Sequence, residues 1–140
     1  MKKTISLLLI IALSLVLFAC SESEEEVSLS KEDMMNQAVL LDVQELSLEW
    51  DRNPVRVQEE YEGKIVKIYG LEIWGISQNH LTLRKELVLG DTYFAEIFAN
   101  VSNEEIINLN KGDRTAVVGV LNFEPGFSIT LSLSDAHVIL

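Results

Sequence analysis

The chain holds a single cysteine, two prolines, seven glycines and two histidines in 140 residues. One thiol excludes an intramolecular disulfide framework, and also any thiolate zinc site built from two or more sulfurs. So few prolines and glycines exclude collagen-like and proline-rich spacer architectures. Cations are scarce as well, with 11 Lys and Arg against 22 Asp and Glu and a formal charge of −11. That balance argues against a general nucleic-acid binder, whose affinity rests on Lys and Arg neutralising phosphates. Apolar side chains are plentiful, at 48% of residues. They suffice for one modest core in a chain of single-domain length.

The lone cysteine sits at an informative place. Met1-Lys2-Lys3 is a short positive start, and Ile5 to Phe18 is apolar except for Ser6 and Ser14. This is the pattern of a bacterial export signal. A membrane-crossing helix needs about 20 apolar residues, whereas this run is shorter and ends in Leu17-Phe18-Ala19-Cys20 before turning acidic. That ending resembles the lipobox of bacterial lipoproteins. The resemblance implies removal of residues 1–19 as a signal peptide and a diacylglyceryl group on the Cys20 sulfur. Its fatty acyl chains, such as palmitate, would hold the protein on the outer face of the cell membrane or on the outer membrane. Two acyl chains anchor stably where one binds only marginally. Losing Lys2 and Lys3 takes the formal charge from −11 to −13. Residues 20–30, with SESEEEVSLS after Cys20, then read as an acidic tether too polar to offset its ordering entropy.

From Ser30 the periodicity becomes helical, and residues 31–62 read as a helical segment packed on the strand-rich remainder of the chain. Met35, Val39, Val43, Leu46 and Trp50 recur at spacings of three or four, which gives one apolar stripe. Asn53 suits an N-cap and Pro54 the first position of a second helix over Val55–Tyr61, closed by Gly63. Residues 63–140 change to strand-like composition. Lys64–Ile73 is one strand with Gly70 as a bend, Trp74–Asn79 a connection, and His80–Lys85 a second strand with Leu81 and Leu83 opposite His80, Thr82 and Arg84. Tyr93–Phe98 is a third strand, apolar on both faces apart from Glu96, so alternation does not choose its inward side. Ser102 with Glu105 forms a capping-box pattern, with Val101 and Ile106 as its hydrophobic staple, and predicts a helix over 103–110. Strands over Thr115–Asn122 and Phe127–Leu133 come next, joined by the turn Glu124-Pro125-Gly126, and Ala136–Leu140 extends the last strand.

Three strands, a short helix and two strands is the order of a five-stranded OB-fold Greek-key barrel, a mainly β architecture with helices. The wording points the same way. Tyr61-Glu62-Gly63-Lys64 leads into the first strand with Gly70 further along it, and Leu109-Asn110-Lys111-Gly112-Asp113 leads into Val117-Val118-Gly119. Together with Trp50-Asp51-Arg52-Asn53-Pro54 upstream, residues 38–140 resemble the tRNA_anti-like OB-fold domains, many of them predicted lipoproteins. The matching residues are turn glycines and core aliphatics that carry no chemistry. The resemblance therefore implies a fold and an envelope location, not tRNA binding.

OB-folds generally use the face of their second and third strands and the flanking loops. Here that predicts a ligand- or partner-binding face with Trp74, His80, Thr82 and Arg84, and with Phe123 and Phe127 near the far loop. Aromatics beside a basic residue suit stacking on bases or sugars, although Trp74 and Phe127 also fit as plugs of the barrel ends. Residues 38–140 hold 8 Lys and Arg against 16 Asp and Glu, which disfavours nucleic acid. No metal-ligand spacing, nucleophile elbow or P-loop occurs, so no enzyme, metal or cofactor is expected. Glu59-Glu60 and Glu104-Glu105 read as solvated helix faces, and Glu96 as either a buried structural or an outward carboxylate. The expected function is a non-catalytic module that binds another envelope protein as an adaptor. The alternative is a domain that binds an oligosaccharide or small ligand.

Overall fold

The computed structural model of the chain describes residues 29–89, 91–124 and 129–139. Cys20, the signal segment, most of the tether, Pro125-Gly126 and Phe127 lie outside the described residues. Helices α1 (Lys31–Gln37), α2 (Val43–Arg52) and α3 (Pro54–Tyr61) come first, with the two-residue strand β1 (Val39–Leu40) between α1 and α2. Strands β2 (Ile65–Ser77), β3 (His80–Leu89) and β4 (Asp91–Val101) come after them, then the one-turn helix α4 (Asn103–Ile106), β5 (Arg114–Glu124) and β6 (Thr130–Ile139). No helix among the described residues is long and apolar enough to cross a membrane.

The sheet order β1-β2-β3-β4-β6-β5 closes on itself because β2 also pairs with β5. Apart from β1, this is the five-stranded OB-fold barrel the element order predicts. β4 and β6 run parallel, and the other barrel pairs are antiparallel. Closure depends on β2 serving two neighbours. Ile65–Glu72 pairs with β5, and Glu72–Ser77 pairs with β3. Within the pairing to β5 the register slips between Ile68 and Leu71, and Gly70 there takes φ +66°. A left-handed residue inside a strand is tolerable for glycine and strained for others, so the bend falls at this glycine.

Alternation fills the interior. Val66, Ile68, Leu71 and Ile73 of β2, Leu81 and Leu83 of β3, Ile97 of β4, Leu121 of β5 and Leu131 and Leu133 of β6 are all almost fully buried. The inward face of β4, which its composition leaves open, is Ala95, Ile97 and Ala99, so Glu96 points outward. The small residues flanking Ile97 let the third strand pass close over the core.

Several local expectations are corrected. The stripe from Met35 to Trp50 does not form one helix. Asp42 Oδ1 accepts from the Gln44 and Glu45 N–H groups and starts α2 afresh, and the chain before it is drawn into β1 by parallel pairing with Val66 and Lys67. Met34, not Met35, is the buried methionine, and Val39 is exposed. Trp74–Ser77 belongs to β2, so the connection to β3 is only Gln78-Asn79, with Asn79 at φ +55°. The capping box fails at its side chains. Ser102 makes no side-chain cap bond and α4 ends at Ile106. Glu105, read as solvated, instead bonds His137 Nδ1 at 2.6 Å and accepts from Val138 N–H at 2.7 Å. The tertiary partner prevails over the local one because one carboxylate satisfies a ring nitrogen and a backbone donor of β6 together. Asn53 does cap α3 through Arg56 N–H, with Pro54 in its first turn.

Candidate functional site

The outward residues of β3 and β4 meet in register. His80 lies opposite Asn100, Thr82 opposite Phe98, Arg84 opposite Glu96 and Glu86 opposite Phe94. β2 adds a third row through an irregularity in its pairing. Ile73 pairs with Leu83 and Gly75 with Thr82, so Trp74 is an extra residue opposite nothing. Bulges of this kind re-aim a side chain and occur preferentially beside functional sites. Here the bulge delivers an indole to the outer face, where Trp74 is 51% exposed. Gly75 beside it has no side chain, and a Cβ there would meet the Thr82 Cβ at 3.2 Å.

Arg84 is the centre of this surface. Its guanidinium carbon lies 3.5 Å from the Trp74 ring centroid and 5.8 Å from that of Phe94. Its Nη2 donates to Glu96 Oε1 at 3.3 Å. Stacking on an aromatic face and pairing with a carboxylate use the two sides of a planar cation together. Arg84 is therefore a fixed, neutralised feature and not a free surface charge. At the β2–β3 turn, the His80 ring lies 5.8 Å from Phe98, and His80 Nδ1 is 3.2 Å from Asn100 Oδ1. The turn itself is tied to α4 by reciprocal bonds, Asn79 N–H to Asn103 Oδ1 at 2.8 Å and Asn103 N–H to Asn79 Oδ1 at 3.2 Å.

The structure thus brings Trp74, His80, Thr82 and Arg84 onto one face. It does not bring Phe123 there. β5 runs on through Glu124, which gives Phe123 the inward parity of Leu121, and its ring stacks on Trp50 of α2 at 5.1 Å between centroids. Phe123 joins the helical segment to the barrel core. Phe127 lies outside the described residues. Two aromatics escape sequence reading, Phe94 and Phe98, both outward on β4. Their signal is present in the all-apolar strand, but only the cross-strand register to Arg84 and Thr82 chooses their side.

Among the described residues, no group of three or more His, Cys, Asp or Glu is placed to hold a metal. The one titration shift that stands out is remote from this face. Burial raises the Tyr61 hydroxyl above its ordinary value, and Glu60, Glu49 and Glu45 add to the effect against a smaller opposing contribution from Arg56.

The tRNA_anti-like family model matches residues 1–124, and no curated protein matches the chain. Among solved structures, the chain is similar to one from Klebsiella pneumoniae subsp. pneumoniae MGH 78578, described as a "putative nucleic acid-binding lipoprotein". That likeness has a TM-score of 0.53 at 16% identity and covers 80% of this chain and 100% of the other. A small single-stranded DNA-binding protein from Streptomyces coelicolor gives a TM-score of 0.33 at 14% identity, over 51% of this chain and 87% of that one. At such identity the Klebsiella likeness shows the fold alone. The family match spans most of the sequence: the chain belongs to the tRNA_anti-like family.

Proposed function

We propose that this protein is a non-catalytic adaptor, lipid-anchored through Cys20 outside the cytoplasm, that binds another envelope protein with the outer face of β2, β3 and β4. One observation carries the reading. Trp74 and Phe94 flank an arginine that is already neutralised, and Phe98 lies on the same outward row of β4. Trp, Tyr and Arg dominate the energetics of protein interfaces, where they act as packed anchors and not as free charges. A phosphate backbone asks for the opposite, several unpaired cations along a track. Here Glu72, Glu86 and Glu96 share the strands with Arg84 in a domain of net negative charge. The lipobox-like ending at Cys20 and the Klebsiella lipoprotein of the same fold support the envelope location.

A second reading, an oligosaccharide or small ring-bearing ligand, draws on the half-exposed Trp74 and Phe94, since flat aromatic faces also stack on sugars. In-cell photocrosslinking separates the two. A photoreactive side chain replaces Thr82, which faces Gly75 and meets no side chain there, and a control replaces the exposed Glu104. The adaptor reading expects a discrete protein adduct from position 82 and none from 104. Adducts from both positions alike, or from neither, would sink it. Quenching of Trp fluorescence by envelope polysaccharide, lost in Trp74→Ala, would then favour the glycan.

A further inference from the structure

The chain enters the barrel through a stretch that touches it lightly. From Leu29 to Leu40 only Met34 is buried, Met35 and Ala38 are half-buried, and every other residue is exposed. This stretch holds α1, which packs on β5 and β2, and β1, which pairs with β2. Its seat is separate from the barrel core. On β5 the outward residues Ala116 and Val118 are buried as well as the inward ones, and neither they nor Met34 belongs to the contiguous core. The chain just beyond is different. Leu41, Val43 and Leu46, and Val57 of α3, are all part of that core.

Few bonds hold this stretch in place. α1 has seven residues, too few for a helix to stand by itself in water, so its order depends on the seat. Lys31 Nζ donates to the Val138 carbonyl at one end. At the other, β1 is two residues long, and Leu41 N–H donates to the Lys67 carbonyl at 2.9 Å. Ser30 Oγ accepts from Asp33 N–H at 3.2 Å, but that cap holds the helix together and not its docking. Residues 30–40 all give up chain entropy for a single buried side chain. A unit with so few buried contacts opens at a cost well below that of unfolding the core.

We propose that residues 30–40 form a detachable strap that sets how far the barrel stands from its membrane anchor. The inference rests on the reading of Cys20 as the lipid-bearing residue. With the strap docked, the chain from Cys20 to Ser30 spans at most about 35 Å. With it released, the chain from Cys20 to Leu41 spans at most about 75 Å. The docked strap also sets which way the barrel faces. It lies on β5, and β3 and β4 are the two barrel strands that do not pair with β5. The candidate face is therefore across the barrel from the point where the tether attaches. Release moves that attachment to Leu41 and roughly doubles the reach.

Amide hydrogen exchange of the full-length protein in detergent micelles, read by NMR, tests the strap. The Ala38 and Leu41 amides, bonded to the Met34 and Lys67 carbonyls, report on α1 and β1. The Leu121 amide, bonded to the Lys64 carbonyl, reports on the barrel. The expected result is that Ala38 and Leu41 share one protection factor within about tenfold, at least about a hundredfold below that of Leu121. A smaller gap to Leu121 for either amide overturns the strap. So does a wider split between the two, which makes α1 a fraying end. Met34→Asp should lower both protection factors at least about tenfold further and leave Leu121 within about threefold. A variant that does not fold, or a Leu121 amide that falls in step, makes the strap part of the barrel and overturns it. Reach is read on phosphatidylglycerol–phosphatidylethanolamine vesicles carrying an acceptor dye, with a donor dye on Glu104→Cys, an exposed position. Energy transfer to the vesicle surface should fall at least about twofold in Met34→Asp, because transfer drops steeply as the reach lengthens. A smaller change overturns the reach-setting role. Protein that does not bind the vesicles at all removes the anchor at Cys20 and the reach with it, while the exchange result still decides whether the strap opens. The adduct from position 82 is read separately, so the adaptor face stands or falls without the strap.

Discussion

The two faces of β3 and β4 share one backbone and differ in almost everything else. Inward, Leu81, Leu83, Ala95, Ile97 and Ala99 are aliphatic and dry, and they pack against the other barrel strands. Outward, His80, Thr82, Arg84, Phe94, Glu96 and Phe98 pair ring with ring and charge with charge across the same register. The inward set stabilises the barrel through area removed from water. The outward set is held in place by that barrel and contributes little to it, so its composition is free to serve recognition. Stability and binding should therefore separate experimentally along these strands, residue by residue.

The sharpest break of that comparison is Leu83→Ala, which empties space at a fully buried position. We expect about 2–5 kcal/mol of lost stability in urea unfolding. Replacing its outward neighbour Thr82 by Ala should change the stability by less than about 0.5 kcal/mol. Next comes Gly70→Ala, where the two faces communicate through the bend. The left-handed φ of +66° costs a non-glycine residue about 1–2 kcal/mol. The new Cβ also displaces the Lys85 ammonium. Urea unfolding reads the two effects together.

Trp74→Ala should show the reverse balance. Its stability change stays within about 1 kcal/mol, the scale of an exposed cation–π contact, while the adduct from position 82 is lost. A large loss of stability there would mean that the bulged indole is a structural plug after all. The smallest effect belongs to the helical segment. The folded-state pKa of Tyr61 lies above its unfolded value, so the folded protein holds that proton more tightly. Its contribution is fully present below the ordinary tyrosine pKa of 10.0 and is lost as pH rises through the raised folded value. The stability of wild type should fall between about pH 9 and about pH 11 by slightly more than that of Tyr61→Phe, compared by urea midpoints.

Strand and helix content is legible wherever the signal is local. The alternation of Leu81 and Leu83, Asn53-Pro54 at the start of α3, and Gly70 as a bend all read correctly, because each depends on the φ or the solvent exposure of neighbouring residues. Readings that need a distant partner fail. The Ser102–Glu105 box looks complete, but His137 and Val138 claim the glutamate. The stripe from Met35 to Trp50 looks continuous, but pairing of Val39 and Leu40 with β2 breaks it. Phe123 looks like a loop aromatic because two further residues of β5 are visible only through pairing with β6.

Sequence alone determined the kind of molecule: an acidic chain of OB-fold order with a lipobox-like cysteine ahead of it, and with Trp74 and Arg84 as candidates for the outer face. These follow from composition, period and short motifs, which a chain carries whatever its neighbours in space. Tertiary structure alone decided what those candidates do together. The slip that lifts Trp74 onto Arg84 and the register that sets Phe94 and Phe98 on the same face arise from pairing between neighbouring strands, β2 with β3 and β3 with β4. Register of that kind is a relation between two strands, which the composition and period of either strand alone do not specify.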